Sequence, residues 1–235
     1  MTKSYVAPDK DFICRTFDSI SPRYDLLNRI LSLGASDGWR QKAKDVLERE
    51  HLLSGDSILD LGVGTGDFLK CFMEVKPWTR AVGLDFSTAM LERARMKLPL
   101  PVELQAGDFH ELSFPDASFD LILSAFTLRS VQDMPRFLGG IFRVLKPGGR
   151  VAFLELTRPR NFLLKLFFIP YVKIYLPLVG RWVSGNDTAY RFLSESVRHF
   201  QSPSVVMERM EKAGFSELST KSFSFGTATL IIGRK

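Results

Sequence analysis

Ser57-Ile58-Leu59-Asp60-Leu61-Gly62-Val63-Gly64-Thr65-Gly66-Asp67 is the stretch that decides the fold. A short apolar run meets three glycines at alternate positions, and a helical pattern from Asp67 to Lys76 opens directly behind them. Glycines at a strand-to-helix turn let the backbone approach a ligand and take angles that a side chain forbids. Downstream the alternation continues. Ala81–Asp85 reads as a strand, and Ser87–Leu98 as a helix with Ser87 as its N-cap. Val102–Gln105 and Phe119–Ala125 are strands, Met134–Leu145 is a helix, Lys146–Gly149 a turn and Arg150–Leu156 a fifth strand. Val205–Ala213 is helical and stops at Gly214, with strands near Glu217–Phe223 and Thr227–Ile232 behind it. Buried-looking strands alternating with helices predict an α/β fold with a Rossmann-like, doubly wound sheet, mostly parallel, with an antiparallel C-terminal edge strand.

Upstream, the texture is helical. Phe12, Phe17, Ile20, Tyr24, Leu27, Ile30 and Leu31 recur at spacings that line one helix face. Ser21-Pro22 reads as a break and restart, with Ser as cap and Pro in the first turn. Gly34 ends that helix, and another runs from Trp39 to Glu50. The organisation expected is one domain over 1–235, with an N-terminal helical cap over 1–53 and a core over 54–157. A hydrophobic, basic lid insertion follows over 158–200, then a C-terminal helix and strands over 201–235.

The chain has 235 residues, 45% hydrophobic and 25% charged, an ordinary globular balance that excludes a disordered chain. Two cysteines, Cys14 and Cys71, cannot staple a fold and suit a reducing compartment. With only three scattered histidines, no metal site is expected. The start, MTKSYVAPDKDF, does not read as a signal peptide.

The glycine turn is the candidate cofactor site. Asp85 ends the next strand, nineteen positions after Gly66, where a carboxylate accepts both hydroxyls of an adenosine ribose. Two details argue against a dinucleotide. The spacing is G-x-G-x-G, and Asp60 precedes it, where it repels a pyrophosphate but attracts a cationic aminoacyl tail. S-adenosylmethionine carries such a tail, a ribose and no phosphate. Asp108 in Gly107-Asp108-Phe109, after the third strand, is placed to take the adenine amino group. A plain turn with solvated acids is the competing reading.

The blocks ILDLGVGTGDF, VGLDFSTAMLERAR, AGDFHELSFPDASFDLIL and RVLKPGGRV resemble the class I S-adenosylmethionine-dependent methyltransferases. More specific blocks resemble the ubiquinone/menaquinone biosynthesis C-methyltransferases. They are TFDSISPRYDLLNRILSLGASDGWR, SAFTLRSVQDM, FLELTRPR, IYLPLVGRWVSGNDTAYRFLSESVR and MEKAGF, in order along nearly the whole chain. The resemblance implies C-methylation of a prenylated quinol lipid, foremost demethylmenaquinol, with a ubiquinone-pathway benzoquinol as alternative. It implies cofactor contacts at Asp60, Gly62, Gly64, Thr65, Gly66, Asp85, Phe86, Asp108, Phe109 and Ala125, and places Tyr24, Asp25 and Arg129 at the chemistry. Arg129 would stabilise an anionic ring oxygen, and Tyr24 and Asp25 would orient the ring or relay a proton.

The chain departs from the family pattern at Thr127, where Gly is usual, at Ser130, where Asn is usual, and at Ala125, where Ser is common. The block around Glu195–Gln201 lacks a histidine at the usual place, which bears on substrate preference. Plainer readings compete. Arg129 pairs with Asp120 or Asp133 on the surface, Tyr24 is core packing, and His110 and His199 are solvated or capping histidines rather than bases. Other classes also stand beside the lead: a methyltransferase for another small molecule or RNA, or a non-enzymatic cofactor-binding protein.

The net charge of +6 has an address. Between Arg158 and Arg181 lie Arg158, Arg160, Lys165, Lys173 and Arg181 and no acidic residue. The overlapping stretch Asn161–Val183 holds Phe162, Phe167, Phe168, Tyr171, Tyr175 and Trp182. Prolines and charges interrupt it too often for a membrane span. Aromatics mixed with basic residues suit an anionic membrane surface and a greasy substrate rather than nucleic acid. The expected place is cytoplasmic, at the inner face of the membrane. Core helices or a homodimer contact are the alternatives for this stretch.

Overall fold

The computed structural model describes residues 10–99, 101–157 and 202–235. The lid insertion expected over 158–200, with His199 and the basic aromatic stretch, lies outside them. Seven strands form one sheet: β1 (Ser57–Leu61), β2 (Arg80–Asp85), β3 (Glu103–Ala106), β4 (Phe119–Ala125), β5 (Leu145–Leu156), β6 (Ser216–Phe223) and β7 (Ala228–Arg234). Their order is β3-β2-β1-β4-β5-β7-β6. The first five are parallel, and β7 runs antiparallel to both β5 and β6. The antiparallel strand is therefore β7, and β6 closes the edge outside it.

Helices cover both faces. On one, α3 (Ala35–Arg49), α4 (Asp67–Met73) and α5 (Thr88–Lys97) bury Trp39, Leu47, Phe72 and Leu91 against Ile58 and Leu121. On the other, α6 (Met134–Val144) and α7 (Pro203–Lys212) bury Phe137, Ile141 and Met210 against Leu59, Ile122 and Phe153. Successive residues of a strand point to opposite faces. Asp60 therefore shares the face of Ile58, toward α3 and α4, and Glu155 shares the face of Phe153. Ser87 caps α5 by accepting the Met90 N–H at 3.1 Å, as its position predicts.

The N-terminal cap comprises α1 (Lys10–Ile20) and α2 (Tyr24–Leu31). Between them Ser21–Arg23 forms one 3-10 turn, and the Ser21 hydroxyl donates to the Asp18 carbonyl at 3.0 Å instead of capping α2. The next helix starts at Ala35, ahead of the expected Trp39, because Gly34 takes a left-handed φ of 77° and the chain re-enters the helix at once. Among the described residues, no helix is long and apolar enough to cross a membrane.

Candidate active site

The carboxyl ends of β1, β2 and β4 meet at the glycine turn. Gly62 and Val63 donate their N–H groups to the Leu84 carbonyl at 2.8 and 3.0 Å, tying the turn to β2. Gly62 has φ 71° and Gly64 φ 53°, both in the left-handed region. A Cβ on Gly62 would meet the Thr127 hydroxyl oxygen at 2.6 Å. Gly66 is the N-cap residue of α4.

Asp85 clasps this turn. Its Oδ2 accepts the Gly64 N–H at 2.8 Å and its Oδ1 the Ser87 N–H at 2.9 Å. A carboxylate has about four acceptor positions, so acceptor capacity remains for a ribose hydroxyl. Burial pushes the Asp85 carboxyl up to about 6, against the pull of the Ser87 and Gly64 N–H groups.

Asp60 is different. It is 1% exposed, and among the described residues neither carboxylate oxygen has a hydrogen-bond partner of ordinary geometry. Burial, then the negative charge of Asp85, push it up to about 7, with Arg40 pulling the other way. A buried carboxylate without partners is costly unless a cation joins it. That is the condition an α-ammonium group would meet, so the residues present fit S-adenosylmethionine.

Tyr24 and Asp25 diverge, although they are neighbours on α2. Tyr24 lines a narrow cavity of about 40 Å³ with Phe86, Phe109, Ala125, Phe126 and Ser130. Its ring stands edge-on to Phe17 at 6.0 Å, and Phe17, Phe86, Phe109 and Phe137 continue the aromatic contacts. Asp25 faces the other side of the glycine turn. Its Oδ1 accepts the Thr65 hydroxyl at 2.7 Å, and its Oδ2 meets the Lys97 ammonium at 2.6 Å. Lys97 also reaches Asp67 at 2.8 Å. Burial raises the Asp25 carboxyl, but Lys97 and Thr65 outweigh it and hold it below its ordinary value. Lys97 is a residue that the sequence reading missed, since nothing in a basic helix end singles it out.

Asp108 accepts both the N–H and the ring Nδ1 of His110 at 2.9 Å. The His110 Nε2 in turn accepts the Gln132 N–H at 3.3 Å, so the proton sits on Nδ1. His110 thus braces the loop and packs on Phe109, with ring centroids 4.7 Å apart.

Arg129 pairs with neither of the surface acids considered for it. Asp120 is engaged by Ser57 and Lys146, and Asp133 caps α6. Arg129 lies in the 3-10 turn Leu128–Ser130, 9% exposed, 5.9 Å from the Phe126 ring centroid. Its Nε and Nη1 have no hydrogen-bond partner among the described residues. Glu155, fully buried at the end of β5, accepts the Leu128 N–H at 2.7 Å through Oε1, while Oε2 has no hydrogen-bond partner among the described residues. Burial pushes Glu155 up to about 7 against the positive charge of Arg129. The signal for Glu155 was present as one acid inside the apolar run Val151–Leu156.

The sequence profile of the ubiE/COQ5 methyltransferase family matches residues 5–235. The chain belongs to the ubiE/COQ5 methyltransferase family. It is 41% identical over 221 residues to a demethylmenaquinone methyltransferase of Thermus thermophilus, covering 92% of this chain and 98% of the relative. A protein of the same name from Deinococcus radiodurans is 40% identical over 223 residues, with 93% and 90% covered. Among solved structures, a SAM-dependent methyltransferase of Thermotoga maritima superposes with a TM-score of 0.66 at 22% identity, covering 94% of this chain and 99% of that one. Phosphoethanolamine N-methyltransferase 2 of Haemonchus contortus, solved with S-adenosyl-L-methionine, gives 0.59 at 16% identity, covering 83% and 52%. At these identities the two structures establish the fold. The family supplies the activity class, a methyltransferase.

Proposed function

We propose that this methyltransferase moves a methyl group from S-adenosylmethionine to a ring carbon of a prenylated quinol, foremost demethylmenaquinol. The observation that carries the reading is the near full-length similarity to proteins named demethylmenaquinone methyltransferase. Bound S-adenosylmethionine supplies a methyl already activated on sulfonium. In the chain itself, Asp85 would hold the ribose, Asp60 the ammonium, and Gly62, Gly64, Thr65 and Gly66 the backbone of that subsite. Phe86, Phe109 and Ala125 would enclose the nucleoside, with Asp108 toward adenine.

The ring becomes a carbon nucleophile when a hydroxyl proton leaves and charge spreads onto the ring. A new carbon–carbon bond then forms as the carbon–sulfur bond breaks, and the ring carbon releases its hydrogen as a proton. Arg129 would stabilise the ring oxygen's negative charge, since a guanidinium keeps its proton. Tyr24 would orient the ring from the cavity wall. Asp25 would act through the glycine turn, which it holds by way of Thr65. The basic aromatic stretch 158–200 would rest on an anionic membrane surface at the inner face, because the net charge concentrates there.

Purified protein with labelled cofactor and a panel of demethylated naphthoquinols and benzoquinols tests the substrate. Labelled naphthoquinol lipid is the expected product. Label only in a benzoquinol moves the assignment to that pathway, and no lipid product overturns it. Liposome flotation that persists after Phe167→Ser and Phe168→Ser overturns the membrane contact.

A further inference from the structure

We infer that Phe126 is the positioning residue for Arg129: its ring face seats the guanidinium and leaves the N–H groups free for the substrate's ring oxygen. This inference rests on the proposed role of Arg129 in methyl transfer.

Three observations carry it. First, Phe126 stands in the left-handed region, at φ 59°, although it has a bulky side chain. Such a residue is an outlier that persists only where its surroundings hold it, and outliers of this kind gather at functional sites. The hold is specific here. The Phe126 N–H donates to the Leu154 carbonyl at 2.7 Å, and the ring centroid lies 6.4 Å from that of Trp39. Second, the ring placed this way lines the narrow cavity with Tyr24, Gly62, Asp85 and Phe109, beside the glycine turn. Third, the ring meets two buried cations. The Arg129 guanidinium carbon lies over it, 5.9 Å from the centroid, and the Arg40 guanidinium carbon lies 5.6 Å away. A cation within about 6 Å of an aromatic centroid is attracted by the negative ring face, more strongly once water is excluded.

The two cations differ in what else they touch. Arg40 Nη1 donates to Asp37 at 2.9 Å. Arg129 Nε and Nη1 are buried with no hydrogen-bond partner among the described residues. Buried donors are normally satisfied, and an unsatisfied one is costly. A ring face offsets part of that cost without occupying an N–H, whereas a carboxylate in the guanidinium plane would take the donors itself. Seated on Phe126, Arg129 is held in place and keeps donors for an oxygen that arrives with the substrate.

The test replaces Phe126 with mono-, di- and trifluorophenylalanine in turn in the full-length protein. Each fluorine drains the negative ring face and nearly preserves the ring's shape. The kcat for the quinol and the melting temperature are measured along the series, with Arg129 and with Arg129→Gln. The expected kcat falls stepwise, reaching a loss of about 5- to 30-fold at the trifluoro ring. With Arg129→Gln the kcat series should be flat and the melting series less steep, because the ring acts through Arg129. A flat kcat series in the parent protein, or a slope that persists unchanged with Arg129→Gln, overturns the inference and reduces Phe126 to packing. If Arg129→Gln alone keeps full kcat, the proposed role of Arg129 fails instead, and the melting series decides the seat: equal slopes with and without Arg129 overturn it. Should the fluorinated chains not fold, Phe126→Leu and Phe126→Tyr decide. A kcat lost in the first and kept in the second supports the ring face, and equal values overturn it.

Discussion

Two loops leave neighbouring parallel strands and touch each other, yet they are built on opposite principles. The turn after β1 takes its left-handed angles on glycines, at Gly62 and Gly64. The loop after β4 takes one on Phe126, at φ 59°. For a residue with a Cβ this conformation costs on the order of 1–2 kcal/mol. The first loop is shaped by what its residues permit. The second is held against its preference, by the Leu154 carbonyl, by Glu155 and by the packing of Phe126 against Trp39, ring centroids 6.4 Å apart. Where they meet, the Thr127 hydroxyl occupies the space that a side chain on Gly62 would need. One loop is written in composition, the other in contacts made by residues distant in the chain, Trp39 before it and Leu154 and Glu155 after it.

The largest expected effect lies on the first loop. Asp85→Ala removes two accepted backbone hydrogen bonds and the ribose acceptor. Hydrogen bonds to charged groups are worth about 1.5–3 kcal/mol each, so cofactor Kd should weaken by about 100-fold or more in calorimetry. A change of only a few-fold would break the assignment of this loop as the cofactor side.

Gly62→Ala comes next. It adds about 1–2 kcal/mol of left-handed strain and a clash with Thr127, which should lower the melting temperature by several degrees. Combining it with Thr127→Gly should return part of the loss. No recovery would show that the two loops do not share this space.

The third test uses the charge beneath the first loop. The Asp60 carboxyl is raised to about 7, so the folded protein holds a proton there that the unfolded chain has lost above about 4. Its contribution to stability is therefore greatest at low pH and falls as pH rises through 7. A cation binds the ionised form, so cofactor affinity should increase from pH 6 to pH 8, by at most about tenfold per unit. Asp60→Asn should flatten that slope. An unaltered slope would move the ammonium contact elsewhere.

The smallest effect belongs to the rim. Lys97→Met removes partly exposed ion pairs with Asp25 and Asp67, each worth about 1 kcal/mol or less. Cofactor Kd should shift by no more than about fivefold. A larger loss would make Asp25 and Lys97 part of the binding site itself.

Much of the first loop could be read in advance. Glycines at alternate positions, Asp85 at a strand end and Ser87 as a cap are local signals, and local chemistry sets them. The divergence of Tyr24 and Asp25 could not be read, because a helix turns about 100° per residue and only the packing of α2 says which side meets the cavity. Thr65, read as a cofactor contact, also proved to be a partner of Asp25, since Lys97 and Asp67 converge there from two other helices. Glu155 was visible only as a misplaced acid in an apolar strand.

The order of strands and helices, the glycine turn and the acids at strand ends follow from the linear chain, because they depend on period, propensity and backbone freedom within a few residues. Which oxygen meets which nitrogen came from the tertiary structure alone. The pairing of Glu155 with the Leu128 loop, the seat of Thr127 over Gly62 and the lone carboxylate of Asp60 all depend on strands brought side by side. Burial then sets their charge, and burial belongs to the fold rather than to any one residue.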